Sequence, residues 1–234
     1  MTEITASFQL EVRYKNFLNF SNSYRDLLGP FVKIADSIKI TQANTLEEKI
    51  HFQFEDAGYQ IIAGWDRLVL HGQGDLSLFT HKNSPMEMPF MAILNKLSTQ
   101  EGFGQINNVL FLAIFAKESK ESKEKILKNF QNKWFKNDIS DITSTPTDIA
   151  ISIVEKNTNK EITVSTGPYL GIWDITRREI QPFNVETLGN LDFLGYVAKI
   201  KYFEMVSKFD LNSFKKIVTF VDDKKKVVWQ KVQV

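Results

Sequence analysis

The stretch ASFQLEVRY, residues 6–14, alternates apolar and polar side chains from Phe8 to Tyr14. The apolar members are Phe8, Leu10, Val12 and Tyr14, and the residues between them are polar or charged. A period of two is typical of a β-strand with one face buried against a core and the other face turned outward. The stretch therefore predicts a half-buried strand as the first clear element of the chain.

A similar unit occurs in the second part of the chain. Residues 108–116 are nearly all apolar and predict a central strand that is covered on both faces. Each of the two strands precedes a helical pattern, at 24–35 and at 119–135. For the first helix we expect the serines at 21 and 23 as caps and a kink or break at Gly29-Pro30.

Short alternating runs, separated by turn residues, follow each helix. They predict strands at about 47–55, 59–64, 67–71, 149–154, 162–164 and 195–205.

Two more helix starts can be recognised by their capping residues. Ser84-Pro85-Met86-Glu87 forms a capping box, and Asp210 caps a last helix. Residues 227–234 predict a final strand.

The order strand, helix, several strands, helix therefore occurs twice. We predict an α+β fold built from two pseudo-repeats, residues 1–104 and 105–234. The duplicated strand-helix-meander-helix units would form one antiparallel sheet with the helices packed on one face.

Three stretches of the chain resemble a sporadically distributed, uncharacterised family of bacterial and archaeal proteins. They are ITASFQLEVRY, FEDAGYQIIAGWDRLVLHGQG and LDFLGYVAKIKYFEMVSKFDLNSFKKI. That family has no assigned activity, so the resemblance implies a fold and not a reaction. The order of elements is also similar to the duplicated fold of the TATA-box-binding proteins, which is an analogy of fold.

The composition excludes several kinds of site. The chain has 234 residues and no cysteine, which rules out disulfides, thiolate metal sites and cysteine nucleophiles. The histidines are scattered at 51, 71 and 81, so we expect no metal and no cofactor. The polar N-terminus and the lack of an apolar run of about 18 residues predict a cytoplasmic protein with no membrane contact.

The stretch LVLHGQGDLSLFTHKNSPMEMPF, residues 68–90, looks most like an active site. It contains neither the GxxxxGK pattern of a phosphate loop nor the GxSxG elbow of a hydrolase. Its glycines and polar residues are typical of an exposed loop. We interpret His71, Asp75, Ser77 and His81 as strand-end and loop residues and name no catalytic residue, although a site assembled from distant positions stays open.

Two clusters around tryptophan are the candidate partner-binding residues. Trp65, Asp66 and Arg67 lie at a predicted turn, and the second cluster consists of Trp173, Asp174, Arg177 and Arg178. Trp and Arg are strongly enriched at binding hot spots. In a duplicated fold the clusters would occupy equivalent places and contact a partner. The alternative is that they only pack at the ends of the sheet.

The helix predicted at 119–135 carries lysines on its polar side. Lys125, Lys128 and Lys136 are candidates to contact phosphates or an acidic partner. The alternative is an ordinary solvated helix face. The net charge of the chain is only +1, which is low for a nucleic-acid-binding protein.

We therefore predict a non-enzymatic protein that binds a macromolecule, with a protein as the expected partner. Its setting would be that of an immunity, regulatory or accessory factor in a bacterial or phage conflict system. Nucleic-acid binding across the open sheet face is one alternative. A small-ligand-binding protein or an enzyme, with a pocket between the sheet and its helices, is another. Homo-oligomer formation stays open.

Overall fold

The computed structural model describes residues 3–135, 149–169 and 194–232, and within these ranges the chain has an α+β fold. The strands are β1 Glu3–Tyr14, β2 Ser37–Thr41, β3 Lys49–Phe54, β4 Tyr59–Gly64, β5 Arg67–Gly72, β6 Ile106–Glu118, β7 Ile151–Lys156, β8 Lys160–Tyr169 and β9 Gly195–Met205. The α-helices are α1 Phe20–Val32, α2 Ala92–Ser98, α3 Lys123–Trp134 and α4 Leu211–Val232. A short 3-10 helix covers Leu76–Phe79.

The described strands form one nine-stranded sheet in the order β2-β3-β4-β5-β1-β6-β9-β8-β7. Every neighbouring pair is antiparallel. The two strands that open the halves, β1 and β6, pair with each other at the centre, where Leu10 lies opposite Phe111. Each of them also pairs with the last strand of its own half, β1 with β5 and β6 with β9.

The hydrophobic core covers one face of this sheet. It contains Phe8, Leu10, Val12 and Tyr14 from β1 and Val109, Phe111, Ala113 and Phe115 from β6, together with the buried side chains of all four α-helices named above. These strand residues are alternate positions, as the period of two predicts. The first predicted strand is thus confirmed, and so is the burial of both faces along residues 111–116 of β6.

Helix α1 differs from the prediction at both ends. It begins at Phe20 with Asn19 before it, so Ser21 and Ser23 lie inside the helix and not at its cap. It also continues through Gly29-Pro30 to Val32, so no break occurs there. Buried Leu27, Leu28 and Phe31 flank Pro30 on both sides. Their packing holds the helix together past the proline, which removes only one backbone donor this close to the end.

The capping box at Ser84 forms only in part. The Ser84 hydroxyl accepts from the Glu87 amide at 3.4 Å and donates to the Phe79 carbonyl at 2.9 Å. The Glu87 carboxylate, however, accepts from the Asn83 amide at 2.7 Å. Regular helix starts only at Ala92, because Met88 has an extended backbone. A residue that precedes proline avoids the helical region for steric reasons.

The predicted final strand at 227–234 is wrong within the described residues. Helix α4 starts after Asp210, whose side chain accepts from the Ser213 amide at 2.8 Å as predicted, and it continues to Val232. Buried Val221, Val228 and Val232 continue the helical spacing of its first turns. The β-branched and aromatic residues of VVWQKVQV also suit a strand, and contact with the core selects the helix.

Candidate functional site

The sheet face opposite the core carries polar side chains in rows that cross the strands. Residues paired on neighbouring strands stand side by side on the same face. Across β1 to β5 the register defines three such rows. We name them the amide row, the acid row and the arginine row, and we use "polar face" for the three together.

The amide row consists of Ser37, Gln53, Gln60, His71 and Gln9, one residue from each of five strands. Nε2 of Gln53 donates to Oε1 of Gln60 at 3.1 Å, and Nε2 of Gln60 donates to Nδ1 of His71 at 3.1 Å. Burial lowers the pKa of His71, which favours the neutral ring that Nδ1 needs in order to accept. Gln53, Gln60 and His71 therefore form a chain of hydrogen bonds that fixes these three side chains relative to one another.

The acid row consists of Lys39, His51, Ile62, Val69 and Glu11, and Leu110 continues it on β6. Its centre is apolar, because Ile62 and Val69 lie side by side. At one end the His51 ring nitrogen Nε2 lies 3.0 Å from the Thr41 hydroxyl. The arginine row places Arg67 opposite Arg13, with Asn108 next on β6.

Glu11 is the centre of a group of side chains that we call the Glu11 hub: Glu11, Gln9, Arg13, Asp66 and Arg67. Glu11 is only 6% exposed. Its Oε2 accepts from Nε of Arg13 at 2.8 Å and lies 3.2 Å from Nη1 of Arg67, and its Oε1 accepts from Nε2 of Gln9 at 2.6 Å. Arg67 also pairs with Asp66 at 2.7 Å. Two arginines and two acids therefore balance each other in charge.

Local structure explains why these side chains meet. Gln9, Glu11 and Arg13 are alternate residues of β1 and so share a face. Arg67 starts β5, which pairs with β1. The fixed partners make the hub a set of pre-organised donors, because both guanidinium groups are held by charge-assisted hydrogen bonds.

The structure places the residues of the first predicted tryptophan cluster in two different environments. Asp66 and Arg67 belong to the Glu11 hub, but the half-buried Trp65 packs against the core cluster. The Trp65 carbonyl accepts from the Phe17 amide at 2.7 Å, which ties the β4–β5 turn to the segment before α1. The predicted residues Trp173, Asp174, Arg177 and Arg178 lie outside the described residues.

The predicted lysines lie on a different element. Lys125 and Lys128 are exposed on α3, and Lys125 pairs at 2.8 Å with Glu121, which lies just before the helix. Lys136 lies outside the described residues. A largely exposed ion pair of this kind is an ordinary surface feature.

The structure places the candidate residues of the stretch 68–90 at different sites. His71 lies in the amide row, whereas Asp75 accepts from the Ser77 amide at 2.8 Å and caps the 3-10 helix. Hydrogen bonding to Ser77 lowers the pKa of Asp75. His81 is exposed. Across the described residues there is no group of three or more His, Asp or Glu side chains that could hold a metal ion.

In the second half of the chain, the sheet face opposite the core changes from polar to partly apolar. Leu112, Ile114 and Val197 are buried there but lie outside the core cluster. Glu161 binds Lys201 at 2.9 Å and Lys156 at 3.5 Å, and the hydrogen bond from Lys201 is the main reason that the pKa of Glu161 is lowered. Burial lowers the pKa of Lys199 to about 8.

The hub residues Gln9, Glu11 and Arg13 were not among the predicted site residues. In the sequence they are only the outward positions of an alternating strand. The available signal was the pair Glu11 and Arg13, which are two residues apart and carry opposite charges. What the sequence did not reveal is the register that brings Arg67 to them.

Comparison with known proteins adds no assignment. The chain matches no protein-family model, and no curated protein is significantly similar to it. In the described part of the chain no helix is both long and apolar enough to cross a bilayer.

Proposed function

We propose that the protein is a non-enzymatic binding protein and that its polar face contacts a protein partner. The Glu11 hub is the observation that carries the proposal. It places two arginines, each with about a third of its side chain exposed, in fixed positions beside an apolar centre. Arginine is enriched at hot spots, and a partly apolar centre surrounded by polar groups is typical of protein interfaces.

The charge balance of the hub favours a protein over a nucleic acid. Arg13 and Arg67 already bind Glu11, and Arg67 also binds Asp66. A phosphate would have to compete with carboxylates that lie within hydrogen-bonding distance of both guanidinium groups. Nucleic-acid binding depends mainly on unneutralised cations that release counterions. A protein partner can instead pair with both signs of charge and with the amide row.

The pairing pattern of the sheet supports the proposal that the two halves are structural repeats. In each half the opening strand lies at the centre and pairs with the last strand of that half, and the two opening strands pair with each other. The single core cluster, which contains side chains from all the described α-helices, supports the proposal that the helices pack on one face. The cytoplasmic location, homo-oligomer formation and a role in a conflict system stay predictions.

Affinity purification from the native lysate tests the proposal, with the wild-type chain and Arg13→Gln as baits. Arg13 has an exposed side chain, and Glu11 keeps Arg67 when Arg13 is replaced. We expect a stoichiometric protein partner with the wild type and at least a roughly tenfold lower affinity with Arg13→Gln, as for a hot-spot residue. Circular dichroism spectra of both baits check that the variant is folded.

The matched control is Lys123→Gln, a cation exposed on α3, outside the polar face and not among the candidate contact residues. It should retain the partner. A partner that binds both variants equally well would contradict the proposal. So would binding to duplex DNA that weakens steeply as salt increases, which is the signature of phosphate contacts.

A further inference from the structure

A cleft on the core side of the molecule lies between the 3-10 helix and α4. Its volume is about 490 Å³, within the range of small-molecule sites. Thr5 and Phe115 line it from β1 and β6, and Asp75, Leu76, Ser77 and Thr80 line it from the 3-10 segment. The α4 residues are Lys215, Val218, Thr219, Asp222, Asp223, Lys225 and Lys226.

The cleft combines an apolar floor with a polar rim. Leu76 and Val218 are each less than 10% exposed and offer carbon surfaces, whereas the Lys225 ammonium, 4.9 Å from the ring centroid, already covers Phe115. On α4 the lining positions recur every three or four residues, so one side of the helix faces the cleft. Polar groups from α4 therefore lie across the cleft from those of the 3-10 segment.

The charges of the lining residues are balanced and mostly paired. Three lysines accompany three aspartates. Lys225, whose side chain is 15% exposed, binds Asp222 and Glu3 at 2.7 Å each, and Lys226 binds Asp222 at 2.8 Å. These pairs hold the pKa of Asp222 low despite its partial burial. Neither an anion nor a cation would gain much from such a balanced site.

Several donors and acceptors in the cleft have capacity left for a ligand. The Lys215 ammonium and the Thr5 and Thr219 hydroxyls make no side-chain hydrogen bond or ion pair with any part of the chain that the structure describes. Asp75 uses Oδ1 for the Ser77 amide, and its carboxylate can accept more than one further hydrogen bond. The unused groups are thus a mixture of donors and acceptors.

We propose that this cleft binds a neutral, polyhydroxylated small molecule of the chemical class of mono- and disaccharides. A hydroxyl group both donates and accepts, so it matches a rim of mixed donors and acceptors. The C–H face of a sugar ring would pack on Leu76 and Val218. The site is separate from the polar face, and it also gives a role to Asp75, Ser77 and Thr80 from the stretch 68–90.

Methyl-detected NMR titration tests the proposal, with glucose, galactose, mannose, maltose and lactose as probes at millimolar concentrations. We expect at least one sugar to shift the methyl signals of Leu76 and Val218 and to leave Ile62 and Leu110 on the other sheet face unchanged. Inorganic phosphate serves as the anionic comparison and should bind more weakly than that sugar.

Two variants remove single donors without changing the floor of the cleft. Thr219→Val keeps the shape of the side chain, and Lys215→Met keeps most of its length. Each should lower the affinity for the bound sugar about threefold to tenfold, as expected for one hydrogen bond. The matched control Lys216→Met, at an exposed α4 position outside the lining, should leave the affinity unchanged.

Three results would overturn the proposal. They are a lack of response to all five sugars, tighter binding of phosphate than of every sugar, and equal affinities in Thr219→Val, Lys215→Met and the control. Loss of the protein partner in Arg13→Gln is measured separately and has no bearing on the cleft.

Discussion

The two faces of the sheet are built from the same strands and have opposite chemistry. In β1, Leu10 and Val12 are fully buried in the core, whereas their neighbours Glu11 and Arg13 form the Glu11 hub on the other side. Strand geometry turns successive side chains to opposite faces. Packing in the core therefore constrains one set of residues, and the other set is available to carry the proposed binding surface.

In the central strand β6 the division into one apolar face and one polar face no longer holds. Phe111 lies in the core cluster, but Leu110, Leu112 and Ile114 make the opposite face of the same strand apolar. Polar rows thus cover β1 to β5, whereas the same face is apolar at β6 and mixes Val197 with Lys199 and Lys201 at β9. The first half is where the face has the composition of a surface that recognises a partner.

The largest expected effect comes from two neighbours in β6 that point to opposite faces. Phe111→Ala should lower the free energy of unfolding by about 3–5 kcal/mol, because it opens a cavity in the core. Leu110→Ala, on the half-buried face, should cost about 1 kcal/mol, because less area is lost. Urea unfolding of both variants measures the difference. Equal losses of unfolding free energy in Phe111→Ala and Leu110→Ala would mean that the two faces are packed alike.

The second effect concerns the Glu11 hub. Glu11→Gln keeps the shape of the side chain and removes the charge that two guanidinium groups share, so it should cost about 1–3 kcal/mol. The value lies below that of a fully buried pair because both arginines are partly exposed to water. Urea unfolding again provides the measurement.

Asp66→Asn is the control within the same hub. Asp66 is more exposed than Glu11 and pairs with Arg67 alone, so its replacement should cost at most about 1 kcal/mol. A cost for Asp66→Asn that equals or exceeds the cost for Glu11→Gln would show that Glu11 is not the centre of the hub.

The smallest effect is a pH dependence from the amide row. Burial lowers the pKa of His71 below its ordinary value of 6.5. The unfolded chain therefore takes up a proton first as the pH falls, and the contribution of His71 to stability, complete above 6.5, is lost between 6.5 and the folded pKa. Burial also lowers the pKa of His51, which acts in the same direction.

Unfolding free energies measured above and below pH 6.5 check this sign. The wild type should lose stability on acidification in this window, and His71→Gln should lose less. If the variant loses as much stability as the wild type, the neutral ring of His71 does not contribute as the amide row requires.

The sequence predicted most strands because each one has a local signature. The alternation in β1, the apolar run in β6 and the turns around 56–58 and 157–160 all depend on neighbouring residues. The structure confirms β4 at Tyr59–Gly64 as predicted and β5 at Arg67–Gly72 within one residue. Strand β2 at Ser37–Thr41 was not predicted separately, because its residues are mostly exposed and its alternation has no buried side to mark.

The elements predicted wrongly are those with two acceptable local solutions. Residues 227–232 are rich in the valine and tryptophan that strands favour, but they also continue the helical spacing of α4, and burial of Val228, Trp229 and Val232 selects the helix. The candidate cluster Trp65, Asp66 and Arg67 stays a prediction. The half-buried Trp65 packs against the core cluster, and its carbonyl accepts from the Phe17 amide, a contact that the sequence did not reveal.

By itself the sequence determined which residues of β1 and β6 are buried, roughly where most strands start and that the last helix starts after Asp210, because hydrophobic period and capping are local properties. Only the tertiary structure decided which residues meet. The Glu11 hub depends on the register between β1 and β5, which are more than fifty residues apart, and the cleft depends on α4 packing beside the 3-10 helix. Such contacts are set by the summed packing of the whole core, and no single stretch of the chain contains that information.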